Sequence, residues 1–374
     1  MIKIAIDAMG GDNAPKQIVF GAVEAIKQDK DVAIVLVGDE EKIKAELALC
    51  KKYDESRIEI VHTSEVIDME EEDVAKAVRR KRDASIVVAF RILKEGKADA
   101  LVACGSTGAV LSAGVLVLGR LKGVSRPALC PRFPNHNGRG VVVCDCGANL
   151  ECKPINLAHF AIMASAYTQA SFGIENPKIG LLNNGTEEHK GLELQREAHK
   201  LLKSMDFLNY GGNVEGRDIM YSDTDVVVCD GFTGNIAVKS IEGCGKAVSA
   251  IMNRQYKRNL WTKIRAAMSM DIIKGIKNSL DYKGVGGAMF LGLTKPVVKG
   301  HGNTEARSVP IYVQQVANAV RANMIDKMKV MIDDANEKMA ALEAKQAETA
   351  SENASANASV SAGETAQPTA ATEA

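Results

Sequence analysis

The chain reads as an α/β protein built on a mainly parallel sheet with helices on both faces. Three features predict this class. Several strand-length segments are apolar at every position, segments of helical periodicity alternate with them, and nearly every strand ends in glycine plus a small polar or charged residue. Strands that are apolar throughout belong to sheets buried on both faces, and their alternation with helices makes βαβ units.

The elements follow in order. IKIAID (2–7) is a buried strand, Pro15 opens a helix whose Ile18, Val19, Ala22, Val23 and Ile26 share one face, and VAIVLVG (32–38) is the next strand. DEEKIKAELA then reads as helix, RIEIVHT as strand, Asp83-Ala84-Ser85 as the start of a helix ending at Gly96, and ALVACG as strand. A Gly/Ala-rich helix starts at Thr107, and GVVVCD, KIGLLN and DVVVCD are further strands. Near the end, Val313, Ala317, Val320, Met324, Met328, Met331, Ala335, Met339 and Leu342 recur at helical spacing, which predicts one long helix with a core or dimer stripe. Beyond Leu342 the sequence is rich in Ala, Ser, Thr and Glu and poor in large apolar groups. Such a segment buries too little to offset the entropy of ordering. A single domain over 1–341 is therefore expected, followed by a disordered low-complexity tail over 342–374.

Composition narrows the function. With 47 basic and 47 acidic residues the formal net charge is zero, so no global field recruits nucleic acid. The start MIKIAIDAM lacks a secretory pattern, and the longest apolar run, Ala109 to Leu118, is too short to span a bilayer. A cytoplasmic protein is expected. Eight cysteines, at 50, 104, 130, 144, 146, 152, 229 and 244, lie mostly in apolar stretches and suit reduced thiols. Strand alternation predicts that Cys144 and Cys146 share a face, as core thiols rather than zinc ligands.

Ligands of open parallel sheets collect outside the carboxyl ends of the strands. Those ends carry DAMGGDNAP (7–15), CGSTGA (104–109), CDCGAN (144–149), LNNGTEEHKG (182–191) and CDGFTGN (229–235), with GHGNTEA (300–306) late in the fold. Each loop alone has an ordinary explanation, since Gly makes the turn and Asp, Asn, Ser or Thr caps the next helix. Six loops with one recipe of Gly, amide, hydroxyl and Lys, converging on one sheet edge, point to a polar site for an anionic ligand. Familiar signatures are absent: there is no GxGxxG after the first strand, no GxxxxGK[ST], no GxSxG and no HExxH.

IAIDAMGGDNAP, ALVACGSTGAVLSAG, RPAL, CDCGANLECKP, GLLNNGTEEHKG, GNVEGRDI, DVVVCDGFTGNIAVKSIEG and GGAMFLGLTKPVVKGHG resemble the signature blocks of the bacterial phosphate acyltransferases of phospholipid synthesis, the PlsX family. The resemblance runs from residue 2 to about residue 325, in the family's order. Ser106 stands where the family usually has Asn, Cys146 where Val is common, and GVGG at 284–287 where Tyr-Gly-Gly is typical. The resemblance implies a Rossmann-like α/β/α fold related to phosphotransacetylases and isocitrate dehydrogenase-like enzymes, and a homodimer at the membrane surface. It also implies a reaction in which the thioester of an acyl carrier protein and inorganic phosphate give acyl phosphate and free carrier protein. The product would pass to a downstream membrane acyltransferase.

Phosphate is itself a nucleophile, so this reaction needs orientation and charge stabilisation, with no cofactor and no metal required. Donors around phosphate are expected from Gly10, Gly11, Asp12, Ser106, Thr107, Gly108, Asn149, Asn183 and Asn235, the last counted with Lys190, Asp230 and His301 among the catalytic residues. Lys190 is the first choice to stabilise the thioester oxygen, and Lys239 the second. His189 or His301 would protonate the departing thiolate. Asp7 and Asp230 would be orienting acids, and Asp12 or Asn13 would cap the helix at Pro15.

A helical hairpin is expected at about 250–281. Leu260, Trp261, Ile264, Ala267 and Met268 fall on one face, with Lys257, Arg258, Lys263 and Arg265 nearby and a second stripe of Ile272, Ile273, Ile276 and Leu280. Periodicity alone describes two ordinary packed helices, whereas the resemblance and the basic flank make it a membrane contact. RRKR at 79–82 is a solvated basic turn or a docking patch for the acidic carrier protein. Three alternatives stay open: a phosphotransacetylase using short acyl-CoA, an NAD-dependent decarboxylating dehydrogenase, and a membrane-docked acyl-binding protein without turnover.

Overall fold

The computed structural model describes residues 1–273, 275 and 286–341. The tail, together with Ile276, Leu280 and Leu342, lies outside the described residues. The α/β class holds, but its strands form two sheets where the sequence suggests one. The first has seven strands in the order β3-β2-β1-β4-β12-β11-β5, and the second five in the order β6-β7-β10-β8-β9.

The first sheet begins with β1 (Ile2–Asp7), α1 (Lys16–Gln28), β2 (Val32–Gly38), α2 (Glu40–Ala48), β3 (Ile58–His62), α3 (Val74–Arg80), α4 (Ser85–Lys94) and β4 (Ala100–Ala103). β1 pairs in parallel with both β2 and β4, and all of these strands end at one edge. α5 (Thr107–Ala113) leads to β5 (Ala128–Cys130), where the chain changes sheets: Pro131 follows, and β6 (Arg132–Phe133) already pairs antiparallel with β7 (Val141–Cys144). Proline has no N–H to continue a ladder, so the break falls there.

The second sheet adds α6 (Pro154–Phe172), β8 (Ile179–Asn183), α7 (Glu193–Ser204), β9 (Tyr210–Glu215) and β10 (Val226–Val228). β10 lies between β7 and β8, parallel to both. α8 (Gly231–Tyr256) and α9 (Leu260–Met268) follow, and the chain then returns to the first sheet through β11 (Ala288–Leu291) and β12 (Val297–Lys299). β11 runs antiparallel to β5 and β12, while β12 is parallel to β4.

α6 is apolar around its circumference, as befits a fully enclosed helix. Leu157, Phe160, Ala161 and Ala164 join one face of each sheet in a common core with α1. The other face of the first sheet is covered by α4 and α5, and that of the second by Ile219, Ala237, Val238 and Ile241. The expected long C-terminal helix is two: α10 (Val309–Arg321) ends at Ala322, Asn323 takes φ 50°, and residues 324–341 form the second. The stripe itself points inward, with Val313, Met324, Met328 and Ala335 all buried.

Two local expectations are corrected. Neither Asp12 nor Asn13 caps α1: the cap position is Pro15, Asp12 donates its N–H to Gly302 (2.8 Å), and Asn13 Nδ2 donates to the Thr304 carbonyl (3.1 Å). Cys144 and Cys146 do not share a face, because β7 ends at Cys144 and the alternation stops; their side chains enter different clusters. The eight cysteines are free thiols, and Cys244 is the exposed one.

Candidate active site

Strand register sets the site. Lys299, the last residue of β12, lies opposite Ala103 of β4, so the loops at 104–107 and 300–304 leave the sheet side by side. The 7–12 loop packs against both. A Cβ on Gly10 would stand 2.9 Å from Gly105 N, and one on Gly11, at φ 102°, 2.8 Å from the Gly302 carbonyl oxygen. Only glycine allows the three loops to close this tightly.

In the second sheet Cys144 lies opposite Val228, which brings the 145–149 and 229–235 loops together. Asp145, fully buried, accepts from Leu129 N (2.8 Å), Ala148 N (3.2 Å), Asn149 N (2.7 Å) and Asn149 Nδ2 (2.9 Å). Leu129 belongs to the first sheet, so this carboxyl ties one sheet to the other. Asp230 caps α8 through Thr233 N (2.9 Å) and Thr233 Oγ1 (2.7 Å). A Cβ on Gly234 would lie 1.9 Å from the Asp145 carbonyl oxygen, so the first turn of α8 seats directly on that loop.

Between the two sheets lies a cavity of about 140 Å³. The first sheet contributes Thr107, Lys299, Gly300 and His301; the second contributes Arg132, Phe133 and Cys146, and α8 adds Asn235, Lys239 and Glu242. Lys299 is half-buried, and that burial holds its ammonium below the usual lysine range. Lys239 acts in the same direction, whereas Asp12 and Glu242 oppose it. Burial likewise lowers Arg132, whose guanidinium lies 3.8 Å from the centre of the Phe172 ring. At the floor of the first sheet, burial raises Asp7 against a backbone donor from Met9 (3.2 Å).

Of the residues singled out from the sequence, Thr107, Asn235, Lys239 and His301 line this cavity together. Gly10, Gly11 and Asp12 form the adjoining loop, with a Cβ on Gly302 reaching 3.5 Å from Asp12 Oδ2. Ser106 occupies the cap position of α5 without a side-chain cap bond, and Gly108 is half-buried on its first turn. Asn149 is placed elsewhere: its Nδ2 is engaged by the Pro127 carbonyl (2.7 Å) and Asp145, so it builds the loop and does not line the cavity. Asn183 closes the 184–191 loop through the Lys190 carbonyl (3.2 Å), and Lys190 and His189 are exposed on that loop, outside the cavity wall. Lys299 was missed by sequence reasoning. Its signal was a lone charge ending the apolar stretch PVVK.

Leu260, Trp261, Ile264 and Met268 do not pack on the core; they are 71%, 71%, 43% and 80% exposed. Ile272 is exposed as well, whereas Ile273 is buried. Among the described residues no helix is long and apolar enough to cross a membrane.

Two α/β sheets whose strand ends meet at a cationic cavity make up this fold, and solved structures share it. A phosphotransacetylase from Streptococcus pyogenes matches with a TM-score of 0.57 at 18% identity, over 86% of this chain and 94% of that one. A branched-chain phosphotransacylase from Enterococcus faecalis V583 matches with a TM-score of 0.55 at 17% identity, over 86% and 99%. These likenesses establish the fold. The chain belongs to the family described as "Fatty acid synthesis protein", whose model matches residues 2–327. It is 44% identical to the phosphate acyltransferases of Bacillus cereus (strain B4264) and of Bacillus cytotoxicus, in each case over 89% of this chain and 98% of the relative. The protein is an enzyme of the acyltransferase class.

Proposed function

We propose that the protein transfers a long-chain acyl group from the thioester of an acyl carrier protein to inorganic phosphate, opening phospholipid synthesis with an acyl phosphate. The observation that carries this reading is the meeting of Lys299, at the end of β12, and Lys239, on α8 beside the second sheet, on one polar cavity. The name of its 44% identical relatives supports it.

Lys299, Thr107 and Asn235 would orient the phosphate, whose oxygen attacks the carbonyl carbon. A C–O bond forms, negative charge develops on the carbonyl oxygen, and Lys239 stabilises it. Lys190, exposed on the next loop, would add its charge once the thioester is bound; catalytic contacts often tighten only in the complex. Collapse breaks the C–S bond, and the departing thiolate takes a proton at His301. Asp230 acts here as the cap of α8, keeping Asn235 and Lys239 aimed into the cavity.

The partners in this reading are the carrier protein, a second copy and a membrane surface, in the cytoplasm. The exposed Leu260, Trp261, Ile264 and Met268, beside Lys257, Arg258, Lys263 and Arg265, support shallow insertion into anionic lipid. Exposed Phe232 and Ile236 on α8 support a homodimer contact. Comparing palmitoyl-carrier protein with acetyl-CoA as phosphate-dependent donors tests the reading: the carrier thioester is consumed at least tenfold faster, whereas preference for acetyl-CoA would assign a phosphotransacetylase.

A further inference from the structure

The polar cavity has an apolar neighbour. Phe133, Met220, Ile241, Cys244, Gly245 and Val248 line a space of about 210 Å³ with almost no polar surface. Phe133 belongs to both walls, so the two cavities adjoin. α8 also serves both: Asn235, Lys239 and Glu242 line the first, and Ile241, Gly245 and Val248, on a neighbouring face, line the second. From Lys239 to Val248 the helix rises about 13 Å. Beyond them exposed Ile251 continues along α8 toward exposed Leu260 and Ile264 of α9.

We propose that this apolar cavity holds the fatty-acyl chain, with the reacting carbonyl at Lys239 and the methylenes running along α8. The inference rests on the acyl-transfer reading above. An unbranched hydrocarbon fits because the walls offer almost nothing to hydrogen-bond, so water gains few partners there. Adjacency to the cationic cavity across Phe133 then favours one molecule with an anionic head and an apolar tail. The path also leads the tail toward the exposed apolar face of α9, where a poorly soluble product would leave.

Gly245 gives the test. Gly245 lines the cavity and a Cβ there meets nothing within 4 Å, so a larger side chain can be added at the wall without a backbone clash at its first atom. Each buried methylene is worth about fourfold in binding. Gly245→Phe should therefore lower the ratio of kcat/KM for palmitoyl over hexanoyl thioester at least tenfold; an unchanged ratio overturns the proposal. A second measurement is independent of turnover. Alkylation of Cys244 by iodoacetamide should slow at least fivefold with hexadecylphosphonate and stay unchanged with methylphosphonate. Equal rates with both overturn the proposal, as does a Cys244 already closed to reagent because a second copy covers it. If no thioester is turned over yet hexadecylphosphonate still shields Cys244, the acyl-transfer reading fails and the chain site stands.

Discussion

Lys299 at the end of β12 and Lys239 on α8 line one cavity, and Lys239 helps to hold Lys299 below the usual lysine range. Two cations on one cavity wall favour an anion between them.

A pH dependence follows. Burial is the main cause of the lowered Lys299 value, so this cation titrates below 10.5. The phosphate KM should rise as pH increases through that lowered value, and Lys299→Arg should remove the alkaline limb. The stability sign is opposite. Between the folded value and 10.5 the unfolded chain binds the additional proton, so this group's contribution to stability increases with pH there. A KM that stays flat up to pH 10.5 would remove Lys299 from phosphate binding.

The lysines separate by kinetics. Lys190→Ala should lower kcat by ~10²- to 10³-fold with little change in phosphate KM, as for a donor acting in the transition state. Lys299→Ala should chiefly raise phosphate KM. Steady-state kinetics with phosphate varied decides, and an unchanged kcat in folded Lys190→Ala takes that residue out of the mechanism.

Asp145 makes a structural prediction. Removing its carboxyl in Asp145→Ala leaves the buried donors of Leu129 and Asn149 without their acceptor, at about 1–3 kcal/mol each, and frees the half-buried N–H of Ala148. A large fall in melting temperature is expected, and Asn149→Ala should also cost stability, because it loosens the same loop. Thermal unfolding monitored by circular dichroism checks both; a wild-type melt for Asp145→Ala would contradict the tie between the sheets.

Much of this was legible in the sequence. The apolar strands IKIAID, VAIVLVG and DVVVCD announced a parallel sheet because burial on both faces leaves no alternation. The division into two sheets was not legible, since it turns on Pro131 between strands of three and two residues, too short for any periodic signal. Thr107, Asn235 and His301, from the strand-end loops, line the cavity, with Lys239 one turn further along α8. Lys299 was missed because β12 is equally short, and Asn149 was taken for a ligand donor because sequence cannot show that its amide is already engaged.

At the membrane, Leu260→Asp with Ile264→Asp should abolish sedimentation with anionic liposomes while turnover of soluble thioester largely persists. Wild-type Trp261, the sole tryptophan, should shift to the blue on adding the liposomes. Dimer loss or unfolding of the double variant would make this face structural instead.

The most direct test uses phosphate labelled with ¹⁸O at all four oxygens, incubated with the purified protein and palmitoyl-carrier protein, with products read by mass spectrometry. Attack by phosphate predicts palmitoyl phosphate retaining all four labelled oxygens. Thioester consumed with free palmitate and no acyl phosphate formed would contradict acyl transfer to phosphate at the Lys239–Lys299 cavity.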